Sequence, residues 1–263
     1  MKKLSVFLLF SLCIGVIIYG NLHWKKIQSF TTPNVVESSE QGENSDLDNE
    51  VDTSLNQEDY MSFTGNWSEQ LKSSYQEKLA KGEKLNIVIV GSQAMDAVDP
   101  GWNDLVAAAV SETFKETIEL SSLSYGSHSL DFVLEDKAEE IAASKPDLVI
   151  FEPLTLNDNG KIRIEDSLDN IFTVVSEVSA DHPDVEFILT PSQPLYQPVN
   201  YAAQIDALEQ FAAENSFTYI NHWDNWPDVD NEEVIDYLDE QSSPNELGQK
   251  AWADAIISYL ISE

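Results

Sequence analysis

Two rhythms of apolar and polar positions follow one another along the chain after residue 60. Short runs of β-branched and other apolar residues at 85–90, 117–123, 148–151, 185–189 and 218–220 read as strands buried on both faces. Between them, 67–81, 104–114, 130–143, 167–179, 202–215 and 246–261 carry apolar residues at helical spacing, with acids turned outward. Asn66 stands where a cap for the first of these helices is expected. No internal repeat is visible. Strands that alternate with helices predict a parallel sheet covered on both sides, a three-layer α/β/α sandwich. In such a sheet, functional residues belong on loops at the C-terminal ends of the strands. Gly91, the loop around Gly126, Asn157, Pro191 and His222 all fall at such ends.

Before residue 60 the pattern is different. Lys2 and Lys3 precede a mainly apolar run, 4–20, and His23, Lys25 and Lys26 follow it. At about seventeen residues the run is slightly short for a membrane span and long for a signal-peptide core. It reads either as an uncleaved anchor within residues 1–26 or as a removed signal peptide. Leu12 is too large for the small residue that a lipoprotein signal would need before Cys13. Residues 27–60 hold no Lys or Arg after Lys26 and little apolar content, so they are expected to form a disordered acidic linker. The folded domain is then 61–263. The acidic linker is easier to place outside the membrane, which puts the domain at the cell surface, or in the medium if the leader is removed.

Charge narrows the partners. The chain has 14 Lys+Arg against 47 Asp+Glu, a formal net charge of −33. Such a field repels nucleic acid and anionic lipid, so any membrane contact is expected through the N-terminal helix alone. Arg163 is the sole arginine, which leaves no arginine clamp for phosphate. With Cys13 the sole cysteine, no internal disulfide can form.

Three stretches carry candidate chemistry: Gly91-Ser92-Gln93-Ala94, Leu156-Asn157-Asp158 and Ser243-Pro244-Asn245-Glu246-Leu247-Gly248. Together with Leu123-Ser124-Tyr125-Gly126-Ser127 they resemble the SGNH/GDSL family of serine hydrolases. That family's pattern is Gly-Asp-Ser-Leu, a lone Gly, Gly-x-Asn-Asp, and Asp-x-x-His-Pro-Asn-x-x-Gly. The resemblance covers 85–262 and implies a flavodoxin-like sandwich that hydrolyses esters of lipids or of acylated cell-wall and polysaccharide sugars.

It also implies roles, and here the chain departs from the pattern. Gln93 stands at the nucleophile's place, with Ser92 one residue early, so Ser92 is either a displaced nucleophile or a turn residue. Gly126 and Asn157 match the oxyanion-binding positions, although Thr155 replaces the family's Gly. Glu240 takes the place of the catalytic Asp, and Ser243 that of the His, where it can neither take nor return a proton near neutral pH. His222, His128 and Glu152 are the candidate replacement bases, Glu152 because a carboxylate at a strand end is poised to be desolvated. His182 lies at the wrong end of the sheet. The expected reaction needs neither cofactor nor metal. Asp224, Asp228, Asp230, Glu232 and Glu233 could be imagined around calcium, but the loop lacks a calcium hand's spacing and reads as solvated acids at a helix start. Trp223 and Trp226 are either a stacking platform for sugar rings or packing beneath the last helix. Two functions follow: a surface-anchored ester hydrolase with a rearranged site, or a non-catalytic module that keeps the cleft to bind a cell-envelope ligand.

Overall fold

A computed structural model of the protein describes residues 57–262. The expected anchor, 1–26, and the linker up to residue 56 lie outside the described residues. Among those described, no helix is long and apolar enough to cross a membrane. They fall in one compact unit, Thr53–Glu263, and a short helix, α1 (Gln57–Ser62), runs across the composition break at Tyr60.

Five strands, β1 (Leu85–Ser92), β2 (Ile118–Tyr125), β3 (Leu148–Phe151), β4 (Glu186–Leu189) and β5 (Thr218–Tyr219), form one sheet in the order β2-β1-β3-β4-β5. Every pairing is parallel. Strand order reverses between β1 and β3, and a crevice opens at the C-terminal ends of strands flanking such a reversal. Ser92 ends β1, and the residue after β3 is Glu152.

Alternation within the strands divides the core in two. Ile87, Ile89, Leu148 and Ile150 face α2 (Glu69–Lys81), α3 (Trp102–Phe114) and α9 (Glu246–Leu260). Val88, Val90, Val149 and Phe151 face α4 (Ser129–Leu134), α5 (Lys137–Ala143), α7 (Ile164–Asp181) and α8 (Val199–Glu214). Each side chain pointing either way is buried, which is why β1 and β3 read as unbroken apolar runs.

Local chemistry moves several predicted boundaries. The cap of α2 is Ser68, whose Oγ accepts from Leu71 N–H at 2.9 Å. Asn66 instead donates from its backbone to Ser262 Oγ and from its side chain to Ser258 O, which ties the start of the domain to its end. The helix expected at 130–143 breaks in two because Asp136 adopts a left-handed φ of 53°, a conformation that Asp tolerates. β1 and β2 continue to Ser92 and Tyr125, past their apolar runs, because the ladder between them persists to Ser92↔Tyr125. A single helical turn, α6 (Thr155–Asp158), lies where the sequence suggests a turn.

Candidate active site

At the crevice, a cleft of about 490 Å³ is lined by Ser92, Gln93, Gly126, Asn157 and Ser243, among others. These residues come from four segments far apart in sequence. Glu240 is not part of the lining and is exposed. Its neighbour Asp239 is the engaged acid: Oδ1 accepts from the backbone N–H groups of Gln241 and Ser243, both at 2.8 Å, and so shapes the loop that presents Ser243. Asn245 caps α9 through Oδ1, which accepts from Leu247 and Gly248 N–H. The Pro-Asn-x-x-Gly segment therefore works as a helix start.

Behind the cleft, β1 delivers Ser92 against Glu152. The Ser92 backbone N–H donates to Glu152 Oε2 at 2.5 Å, and Leu154 N–H donates to Oε1 at 3.1 Å. The Ser192 hydroxyl donates to Oε1 as well. Glu152 is fully buried, and burial raises its pKa above the ordinary 4.5 although hydrogen bonds from Ser192, Ser92 and Leu154 work against the shift. Ser92 Oγ accepts a long hydrogen bond from Ala94 N–H, at 3.4 Å, and the Ser92 side chain is near enough to Glu152 to work against the upward shift of its pKa. Ser92 caps the turn Gln93–Asp96, and its backbone lies against the Glu152 carboxylate.

Two glycines make this arrangement possible. A Cβ on Gly91 would meet Glu152 Cβ and Oε2 at 3.1 Å and Met95 Sδ at 3.3 Å, so the carboxylate passes strand β1 only because residue 91 has no side chain. A Cβ on Gly126 would meet the Gln93 amide at 3.0 Å. Gln93, at the place of the family's nucleophile, therefore lies along the Gly126 wall of the cleft. Asn157 Nδ2 donates to Ser127 O at 2.8 Å, which fixes the side chain and leaves its second amide hydrogen for a ligand.

Of the candidate bases, His222 is excluded. It is fully buried and stacked on Trp252 with ring centroids 4.0 Å apart. Both ring nitrogens are engaged: Nε2 donates to Pro191 O at 2.9 Å, and Nδ1 accepts from Trp226 Nε1 at 3.0 Å. Desolvation pushes its pKa down to about 3, so it stays neutral and structural. His128 lines the cleft and its Nδ1 is buried without a hydrogen-bond partner among the described residues. His182 is bonded to Ala142 O.

Trp226 is buried against Tyr237, the packing role, and Trp223 donates from Nε1 to Ser192 O at 2.8 Å, holding the loop after β4. Among the described residues no group of three or more His, Cys, Asp or Glu is placed to hold a metal ion. Glu232 and Glu233 sit in the first turn of the short helix Glu232–Tyr237, capped by Asn231. The sequence reading missed Ser192, Gln193 and Lys161. The Ser-Gln pair after Pro191 followed a strand and could have been found by position; Lys161 offered no signal beyond its charge.

No family model and no curated protein sequence matches the chain. Solved structures do. A carbohydrate esterase family 3 protein from Talaromyces cellulolyticus superposes with a TM-score of 0.57 at 15% identity, covering 67% of this chain and 96% of that one. A catalytic mutant of Axe2, an acetylxylan esterase from Geobacillus stearothermophilus, gives 0.56 at 14% identity over 68% and 95%. The lipase/acylhydrolase from Enterococcus faecalis gives 0.54 at 15% over 68% and 97%. The chain has the SGNH hydrolase fold. Its parallel sheet, covered on both faces, agrees with the three-layer sandwich expected from the sequence.

Proposed function

We propose that this SGNH-fold domain hydrolyses an acyl ester, with Ser92 as nucleophile and Glu152 as the base that replaces the missing histidine. The observation that carries this reading is the buried Glu152 carboxylate against Ser92, at the edge of a cleft. The Ser92 Oγ proton passes to Glu152 as Oγ bonds to the ester carbonyl carbon. The second Asn157 amide hydrogen stabilises the oxyanion, and the protonated Glu152 returns its proton to the departing alcohol. Water then gives a proton to Glu152 as its oxygen bonds to the acyl carbon; the bond from that carbon to Ser92 Oγ breaks, the acid leaves, and Glu152 returns the proton to Ser92 Oγ. The esterases of similar fold support ester chemistry, and an acylated sugar or lipid is the substrate class proposed. The apolar 4–20 run and the acidic stretch after it support an anchored, outward-facing domain. Mild protease on intact cells that releases a stable fragment beginning near Met61 would test that placement; protection until lysis argues against it.

A second reading, a binding module without chemistry, is favoured by Ser243 at the histidine's place and by Gln93 along the Gly126 wall. Turnover of p-nitrophenyl acetate by the full-length protein decides between them. Ser92→Ala and Glu152→Gln are each expected to remove on the order of a hundredfold or more of the rate. Turnover that survives Ser92→Ala ends the nucleophile assignment, and a wild-type protein that binds ligand without turnover is the module.

A further inference from the structure

Glu152 is a buried carboxylate without a cation. None of the ion pairs among the described residues includes it, and Tyr201, the titratable group coupled to it, is kept neutral by burial. Hydrogen-bond donors alone must then hold its charge and its orientation, and they are unevenly placed. Oε1 accepts from Leu154 N–H and from the Ser192 hydroxyl, whereas the backbone donor to Oε2 is Ser92 N–H alone. An ionised carboxylate offers about four lone-pair sites. Two are filled on Oε1, so the oxygen on the Ser92 side is the one left open to a proton.

Ser192 is held from two directions. Three successive carbonyls of the loop after β4 each accept from a different aromatic side chain: Pro191 O from His222 Nε2 at 2.9 Å, Ser192 O from Trp223 Nε1 at 2.8 Å, and Gln193 O from Tyr201 Oη at 3.1 Å. From α6, Leu156 N–H donates to Ser192 Oγ at 3.2 Å, and Thr155 Oγ1 lies 3.0 Å from it. An ionised carboxylate only accepts, so the single Ser192 proton goes to Glu152 and Thr155 donates to Ser192. Ser192 and Thr155 are 0% and 1% exposed, too deep to meet a substrate. Their hydroxyls act on the carboxylate.

We propose that Ser192 is the positioning residue of Glu152: its hydroxyl occupies Oε1 and so leaves Oε2 to exchange a proton beside Ser92. The consequence for turnover rests on the esterase reading. The hold of Ser192 on Glu152 does not, and it can be measured without a substrate.

The test is a pH titration of the Glu152 carboxyl in the full-length protein, by NMR of carboxyl-labelled glutamate, the signal being the one that Glu152→Gln removes. A donor to the ionised form lowers a carboxyl pKa, so its loss raises the midpoint. Ser192→Ala is expected to raise it by about one unit, the scale of one hydrogen bond to a charge. Ser192→Cys fills the space with a weaker donor and should fall between Ala and wild type, and a thermal midpoint confirms that each variant folds. In p-nitrophenyl acetate hydrolysis the acidic limb should move with the titration while KM stays put. A merely structural loss would lower the rate at every pH and leave the limb in place. A Glu152 midpoint that neither variant moves overturns the proposal. Wild-type protein without turnover, or a limb that stays while the titration moves, removes Glu152 as the base and leaves the hold of Ser192 standing.

Discussion

Ser92 ends β1 and Glu152 follows the neighbouring parallel strand β3, and the backbone N–H of the first donates to the carboxylate of the second at 2.5 Å. The fold's switch point thus brings a serine and a carboxylate together, where the sequence pattern left the triad without its serine and its histidine. Residue 92 ends β1, so its position is fixed by the ladder, while Glu152 is fixed by three donors from three segments.

The pH dependence of activity tests that pair. Glu152 must be ionised to take a proton, and burial raises its pKa above 4.5. The acidic limb of the rate profile is therefore expected above the ordinary glutamate range, and Glu152→Gln should abolish it with the rate. Stability carries the opposite sign. The folded pKa lies above the unfolded value, so the group's contribution is fully present below about pH 4.5 and is lost as pH rises through its folded pKa. Glu152→Gln should make denaturation midpoints less sensitive to pH across that window. A rate profile with its acidic limb at the usual glutamate position counts against Glu152 as the base.

His222 should behave in reverse. Its pKa falls from 6.5 to about 3 through desolvation. The native state then resists protonation, so stability is present above pH 6.5 and is lost as pH falls toward about 3. His222→Ala is expected to cost about 2–4 kcal/mol at neutral pH, from a lost stack on Trp252 and orphaned partners at Trp226 Nε1 and Pro191 O. The slope of stability with pH between 3 and 6.5 should flatten in the variant, as urea titrations at several pH values would record. An unchanged slope would mean that His222 is not held neutral.

How much of this was legible in the sequence depended on range. Runs buried on both faces mark β1 and β3 without ambiguity, because period and composition are local properties. That functional loops belong at the C-terminal ends of the strands followed from strand alternation, whereas the reversal between β1 and β3 needs the strand order. Asp136 and Ser68 were not legible: a left-handed break and a choice between two adjacent caps are decided by what the neighbouring segments bond. Glu152 could be suspected from its strand end, but its three donors come from residues 92, 154 and 192. His222 read as a possible base because its ring partners, Trp226 and Trp252, only meet it after folding.

Gly91 and Gly126 should differ in tolerance. At Gly91 an added methyl meets Glu152 Cβ and Oε2 at 3.1 Å in a packed interior, so Gly91→Ala is expected to destabilise by about 1–3 kcal/mol and to displace the carboxylate. At Gly126 the methyl meets the end of the exposed Gln93 side chain, which can swing away. Gly126→Ala should therefore fall within about 0.5 kcal/mol of wild type. Chemical denaturation of the two variants checks the contrast, and equal losses would mean that Glu152 does not fill the space beside residue 91.

Rebuilding the missing histidine is the converse test of the cleft. Gln93→Ser with Ser243→His places a hydroxyl and an imidazole on two segments that both line the cleft. Gln93 is exposed, so shortening it empties space along Gly126 without opening the core. Asp239 already binds the backbone of residues 241 and 243 through Oδ1 and keeps the loop in place. Asn157 keeps its second amide hydrogen for the oxyanion. A gain on the order of ten- to a hundredfold in p-nitrophenyl acetate hydrolysis is expected from a general base near its working pKa. Either single change alone should give less, because neither supplies both members of the new hydroxyl–imidazole pair. A double variant that folds and gains nothing would place the two walls too far apart for proton transfer.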